Sequence, residues 1–187
     1  VCSHFHCPDV VIFTSKDRFN IPAFMVAIIH PKRVLGIITL GMPFRLPGPL
    51  GLQFNLLPKG FYISADINLV DSSTPLPPWF TEEDLDVYAT LYQNSGFRIA
   101  LQVPYRCWQW DYGVTNPKVM APSLLIMGEK DYFMKFPEME DYMRKGIVKQ
   151  FMPNLDTTFM PEGSHFVQEQ FLEQVNELII TFLNKNI

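Results

Sequence analysis

Four short runs of apolar and β-branched residues constrain the fold of this chain more than any other feature. They cover residues 9–14, 34–40, 123–127 and 155–160. Runs of this length suit strands that are buried on both faces, as the strands of a parallel sheet are. We therefore predict that these runs are the core strands of one mostly parallel sheet.

The segment between the first two runs has the pattern of a buried helix. Residues 22–29 are mostly apolar, and Pro22 stands in the first turn, where a missing N–H is tolerated. A polar turn is predicted at residues 15–17, and His30-Pro31 ends the helix. Strand, turn, helix and strand in this order form a βαβ unit. The predicted fold class is α/β, with helices flanking a mostly parallel sheet.

Composition changes between residues 45 and 117, where prolines and aromatic side chains are dense. Within this stretch Thr81-Glu-Glu-Asp84 is a capping box, which predicts a helix that runs to Asn94 and stops before Gly96. We predict a small helical lid at 45–117, inserted between a partial α/β core at 1–44 and a C-terminal α/β core at 118–187. In the second core the sequence predicts an amphipathic stretch at 137–145 and a closing helix at 171–183.

Composition also excludes several classes of protein. Apolar residues make up 48% and charged residues 18%, as in a globular domain rather than a disordered chain. The formal charge of −4 argues against a nucleic-acid surface. No apolar stretch approaches the roughly 20 residues of a membrane span, and the N-terminus lacks the pattern of a secretion signal. We therefore expect a cytoplasmic protein that binds neither nucleic acid nor membrane.

Cysteine and histidine residues cluster at the N-terminus, in the order Cys2, His4, His6 and Cys7. Zinc ligands usually come as two such groups at separated places, and this spacing fits no zinc motif. With Cys107 the chain has 3 cysteines, which are too few, and odd in number, for a disulfide framework. No metal site is predicted.

Asp17, Asp131 and His165 each follow the predicted end of a strand. The carboxyl edge of an open parallel sheet is where catalytic groups converge. The order nucleophile, acid and histidine is the chain order of α/β-hydrolase triads. An Asp after a strand is also a common turn former or helix cap, and a histidine at a helix start often bonds the main chain. These residues alone leave both interpretations open.

Longer segments resemble one known family. PSLLIMGEKDYFMKFP at 122–137, PEGSHFVQEQF at 161–171 and PLPPWFTEEDL at 75–85 closely resemble the soluble, plant-type epoxide hydrolases of the α/β-hydrolase superfamily. HPKRVLGIITLGMPF at 30–44 is similar to the helix and strand that follow the nucleophile turn in that family. GFYIS at 60–64 and FRIALQVPYR at 97–106 are similar to the two lid segments that each deliver an active-site tyrosine.

The resemblance implies a set of site residues. It places the nucleophile at Asp17, the orienting acid at Asp131 and the base at His165. It places the lid tyrosines at Tyr62 and Tyr105, and an oxyanion-binding main-chain N–H at Arg18.

The chemistry implied is the opening of a small apolar epoxide to a vicinal diol. The nucleophilic carboxylate forms an ester with an epoxide carbon, the phenols protonate the epoxide oxygen, and histidine activates water against the ester. The implied partners are the epoxide and water, and no cofactor is involved. The sequence leaves a homodimer open.

The sequence departs from the family in three places. Nothing before residue 9 matches the family's upstream His-Gly-x-Pro loop, so we expect an N-terminally truncated, aggregation-prone chain with an exposed sheet edge. In the nucleophile turn, Phe19 stands where a small residue normally fits, and Arg18 would pair with Asp17. The lid is expected to be shortened after Ser64.

These departures support an alternative function. The chain would then be a catalytically inactive α/β-hydrolase relative that acts, if at all, as a binding protein. Two further alternatives fit less well. A haloalkane dehalogenase usually has Trp directly after its nucleophile, where this chain has Arg18. A serine esterase needs Ser where Asp17 stands, and Ser15 comes two residues too early.

Overall fold

The computed structural model describes residues 11–16, 20–45, 75–96, 98 and 113–186. The chain divides into two compact units, one formed by Val1–Arg45 with Val114–Ile187 and the other by Leu46–Gly113. The helical lid predicted at 45–117 stays a prediction, because most of its residues lie outside the described ranges.

A four-stranded parallel sheet forms the centre of the first unit. Its strands lie side by side in chain order, and each pairs in parallel with the next. They are β1 (Val11–Lys16), β2 (Val34–Leu40), β3 (Ser123–Gly128) and β4 (Leu155–Met160). The predicted α/β fold with a mostly parallel sheet is therefore confirmed.

The described helices occur where the sequence favours them, with some shifted ends. They are α1 (Asn20–Ile29), α2 (Glu82–Tyr92), α3 (Met139–Arg144), α4 (Val167–Gln170) and α5 (Leu172–Asn186). Short 3-10 turns lie at Pro31–Arg33, Tyr132–Lys135 and Ile147–Gln150. The closing helix predicted at 171–183 is present as α5, which starts one residue later and ends three residues later than predicted. The short helix α4 before it was not predicted, and Phe171, with a φ of −135°, separates the two.

The core of the first unit covers both faces of the sheet. On one face α5 packs against β2 and β3, and the buried residues there include Ile38, Leu40, Leu124, Ile126, Val175 and Phe182. Alternate strand residues point to the opposite face, and Ile37, Leu125 and Met127 are also buried. Coverage of both faces explains why the two central strands, β2 and β3, are nearly continuous apolar runs.

The second unit contributes α2 to the described part of the chain. The predicted capping box is present: Thr81 Oγ1 accepts from the Asp84 N–H at 3.1 Å, and Asp84 Oδ2 accepts from the Thr81 N–H at 2.9 Å. The hydrogen bond from the Thr81 main chain lowers the pKa of Asp84. The helix ends at Tyr92, two residues before the predicted end, and the Gly96 N–H donates to the Tyr92 carbonyl at 2.7 Å.

A bilayer span would need a longer and more apolar helix than any that the described ranges contain.

Candidate active site

Asp131 and His165 lie at the carboxyl edge of the sheet, just beyond β3 and β4. His165 Nδ1 is 2.9 Å from Asp131 Oδ2 and 3.1 Å from Oδ1. Asp131 is 1% exposed and His165 is 7% exposed. An ionised carboxylate can only accept, so Nδ1 carries the proton in this hydrogen bond and Nε2 is left as the basic nitrogen. The pair has the arrangement of an orienting acid and a general base.

The Asp131 carboxylate also begins the 3-10 turn that follows it. Its Oδ1 accepts from the Phe133 main-chain N–H at 2.8 Å. Asp131 is not a solvent-exposed turn residue, because its side chain is buried. The interpretation as a helix cap is right, and it holds together with the contact to His165. The same carboxylate therefore caps the turn and accepts from the imidazole.

Main-chain hydrogen bonds join the two loops that carry this pair. The Lys130 N–H donates to the Gly163 carbonyl and the Glu129 N–H donates to the Met160 carbonyl, both at 2.9 Å. The Ser164 N–H and hydroxyl both donate to Gln170 Oε1, at 2.7 and 2.8 Å. These bonds hold the His165 loop to β3 on one side and to α4 on the other.

Aromatic rings and a glycine surround the imidazole of His165. The Tyr132 ring lies 4.5 Å from it between centroids, and the Phe166 ring lies 5.2 Å from it at an angle of 83°. Gly41, which follows β2, has a φ of +74°. A Cβ on Gly41 would lie 3.3 Å from His165 Cε1 and 3.5 Å from Asp131 Oδ2. Glycine therefore suits this position both by its conformation and by its small size.

The end of β1 is held by a buried asparagine. Ser15 Oγ donates to Asn20 Oδ1 at 2.6 Å, and Asn20 Nδ2 donates to the Met42 carbonyl at 2.8 Å. Asn20 is fully buried. Since β1 extends to Lys16, the polar turn predicted at 15–17 is wrong for Ser15 and Lys16, and Asp17 lies outside the described residues. The asparagine joins the strand before the predicted nucleophile turn, the helix after it and the loop after β2.

Lys16, the last residue of β1, contacts the histidine loop. Its Nζ donates to the His165 carbonyl at 2.5 Å and lies 4.7 Å from the centroid of the Phe166 ring. No site role is predicted for Lys16 or Asn20 from the sequence, although both adjoin the predicted nucleophile turn.

The remaining predicted site residues lie outside the described residues. They are Asp17, Arg18, Tyr62 and Tyr105. Their roles stay predictions, as does the crowding expected from Phe19.

The described residues contain no group of three or more His, Cys, Asp and Glu side chains placed to hold a metal ion. The N-terminal cysteine and histidine cluster lies outside the described ranges.

Curated proteins with similar sequences are epoxide hydrolases. Epoxide hydrolase 1 of Siraitia grosvenorii is 28% identical over 135 residues, which cover 70% of this chain and 41% of the relative. Epoxide hydrolase 3 of the same plant is 30% identical over 115 residues, covering 59% of this chain and 36% of the relative. Bifunctional epoxide hydrolase 2 of Mus musculus is 22% identical over 224 aligned positions, which cover 94% of this chain and 39% of the mouse protein. No protein-family model matches the chain.

The coverage figures describe a chain that corresponds to part of these relatives. It spans 36% to 41% of their lengths. The alignment with the mouse protein has 224 positions, more than the 187 residues of this chain, so that relative has internal segments without a counterpart here.

Solved structures of plant epoxide hydrolases share the fold. Potato (Solanum tuberosum) epoxide hydrolase I superimposes with a TM-score of 0.78 at 20% identity, covering 95% of this chain and 70% of the potato chain. A mutant epoxide hydrolase of Vigna radiata superimposes with a TM-score of 0.72 at 23% identity, covering 95% of this chain and 71% of the Vigna radiata chain.

Proposed function

We propose that this chain, whose homologues are plant and mammalian epoxide hydrolases and whose fold is part of the α/β-hydrolase fold, opens small apolar epoxides to vicinal diols through an ester on Asp17. The observation that carries the proposal is the buried contact between Asp131 and His165 at the carboxyl edge of the sheet. A neutral imidazole with its Nδ1–H on a buried carboxylate is prepared to take a proton at Nε2.

The first half of the proposed reaction uses residues assigned from the resemblance. A carboxylate oxygen of Asp17 attacks an epoxide carbon, and the bond between that carbon and the ring oxygen breaks. The alkoxide takes a proton from Tyr62 or Tyr105. The product of this half is a hydroxyalkyl ester of Asp17.

The second half uses the pair described above. His165 Nε2 takes a proton from water as the water oxygen bonds to the ester carbonyl carbon. The Asp131 carboxylate stabilises the imidazolium that forms, and the Arg18 N–H is assigned to the oxyanion. When the ester C–O bond breaks, the imidazolium returns its proton to the departing diol. The Asp17 carboxyl then ionises, and its proton returns to the tyrosine that protonated the alkoxide. The net reaction is therefore epoxide plus water to diol.

Product analysis and intact mass together test the proposal. The purified unaltered chain, Asp17→Ala and His165→Gln are each incubated with an aromatic epoxide. The amount of diol formed and the mass of the intact protein are measured over time. We expect diol from the unaltered chain and neither diol nor adduct from Asp17→Ala. From His165→Gln we expect a protein heavier by the mass of the epoxide, because the ester forms and is not hydrolysed.

The opposite outcome would favour an inactive relative. Background diol formation by the unaltered chain, with no adduct on His165→Gln, would contradict the proposal. Circular dichroism of each variant checks that the loss is not a loss of folded protein.

A further inference from the structure

We propose that Lys16 positions the base of the reaction by holding the main chain of His165 across the carboxyl edge of the sheet. This inference rests on the proposed function, in which His165 activates water. Lys16 would act through His165 and not on the substrate itself.

Two contacts join the Lys16 ammonium to consecutive residues of the histidine loop. The first is the 2.5 Å hydrogen bond to the His165 carbonyl oxygen. The second is the 4.7 Å approach to the face of the Phe166 ring. A hydrogen bond from an ammonium is about twice as strong as one between neutral groups, and a cation over an aromatic face adds attraction. Together they fix the peptide group that sets the direction of the imidazole.

The contact spans the sheet. Lys16 ends β1 and pairs with Leu40 of β2, whereas His165 follows β4 at the other end of the strand order. The two residues are 149 positions apart in the chain. A single lysine therefore joins the strand that leads into Asp17 to the loop that presents the proposed base.

The imidazole is held from two other directions. Asp131 accepts from Nδ1 on one side, and Gly41 lies close to Cε1 on another, since a Cβ at Gly41 would be 3.3 Å from that atom. Neither contact fixes the His165 main chain, which is the part that Lys16 holds. Without the Lys16 contact the His165 main chain loses a hydrogen bond at its carbonyl, and the imidazole can shift relative to the ester. Misplacement of a catalytic group by about 1 Å reduces a rate by about a hundredfold.

The two halves of the reaction separate this role from a general structural one. Asp17 forms the ester without His165, and His165 acts only when the ester is hydrolysed. Loss of the Lys16 contact should therefore slow the second half alone, whereas a loss of folded protein would reduce both halves equally.

The experiment compares Lys16→Met with Lys16→Arg in single turnovers. Methionine keeps an unbranched stem without the charge, and arginine keeps a cationic donor. Lys145→Met is the matched control, because Lys145 is exposed and pairs with Asp141. Intact mass gives the ester fraction over time. In Lys16→Met we expect ester formation within about twofold of the unaltered chain and ester hydrolysis slower by about tenfold. Lys16→Arg should restore most of the second rate, and Lys145→Met should change neither.

Hydrolysis of the ester at the unaltered rate in Lys16→Met would overturn the inference. If the unaltered chain forms no ester, the proposed function fails, and NMR of the imidazole then decides the positioning role by itself. The His165 signals are assigned by their loss in His165→Gln. We expect them to shift in Lys16→Met, to return towards their original positions in Lys16→Arg and to stay in place in Lys145→Met. Unchanged His165 signals in Lys16→Met would reject the role.

Discussion

Gly128 and Gly163 touch main chain to main chain beneath the acid–histidine pair. A Cβ placed on Gly128 would lie 2.2 Å from the Gly163 carbonyl oxygen and 2.4 Å from that of Ser164. No side chain fits in that space. Asp131 is three residues after Gly128, and His165 is two residues after Gly163. The close approach of these glycines therefore brings the two loops within reach of each other.

Replacing Gly128 with alanine is expected to push the two loops apart. The added methyl group would meet main-chain atoms, which cannot rotate away, so the free energy of unfolding should fall by about 1–3 kcal/mol or more. Urea unfolding measures this loss. Gly36→Ala is the control, because a Cβ there would meet the Phe182 ring at 3.1 Å, and a ring can shift. A loss in Gly128→Ala no greater than that in Gly36→Ala would contradict the expectation.

Asp131→Asn is expected to change the tautomer of His165 and to slow ester hydrolysis. The amide can donate to Nδ1, which moves the imidazole proton to Nε2 and leaves no basic nitrogen for water. A loss of about 10³–10⁴-fold in turnover follows. Nitrogen NMR of the imidazole detects the tautomer without substrate, and diol formation detects the rate. Asp156→Asn, at an exposed carboxylate paired with Lys185, serves as the control and should alter neither.

Strand positions could be predicted from the sequence because their signals are local. The bounds of β2 and β4 agree with the predicted runs at 34–40 and 155–160, where polar or turn-forming residues end each apolar run. The first strand was predicted to end at Thr14 and continues to Lys16. Ser15 and Lys16 are polar, and only their pairing with Thr39 and Leu40 places them in the strand.

The contacts of the site could be predicted less well. The positions of Asp131 and His165 after two predicted strands place both residues at the same edge of the sheet. Their contact, however, depends on the close approach of Gly128 and Gly163, which are distant from each other in sequence. The hydrogen bond from Lys16 to His165 joins residues from opposite ends of the sheet. Neither contact has a local pattern. Such contacts follow from the tertiary fold, and motif spacing does not contain them.

The buried Asn20 is expected to stabilise the connection between β1, α1 and the loop after β2. Its amide accepts from Ser15 and donates to the Met42 carbonyl. Asn20→Ala removes both bonds and leaves buried polar groups, so the free energy of unfolding should fall by about 1–3 kcal/mol. Urea unfolding of Ser15→Ala, Asn20→Ala and the double variant measures how strongly the two residues interact. Asn186→Ala, which loses one bond to Phe182 in its own helix, should cost less. Additive losses at Ser15 and Asn20 would contradict the proposed interaction.

Tyr142 is expected to make stability depend on alkaline pH. It donates to the Phe44 carbonyl at 2.8 Å, and burial raises its pKa to about 12 from 10.0, against the opposing effect of nearby Arg45. Because the pKa is higher in the folded state, the protonated phenol contributes to the stability of the fold. This contribution is fully present below pH 10 and is lost as pH rises through about 12. Tyr142→Phe removes this contribution and its hydrogen bond. Between those pH values the urea midpoint should therefore fall more steeply in the unaltered chain than in Tyr142→Phe. By absorbance, the variant should lack a tyrosine that ionises near pH 12. Parallel falls in the two midpoints would show that Tyr142 is not the group responsible.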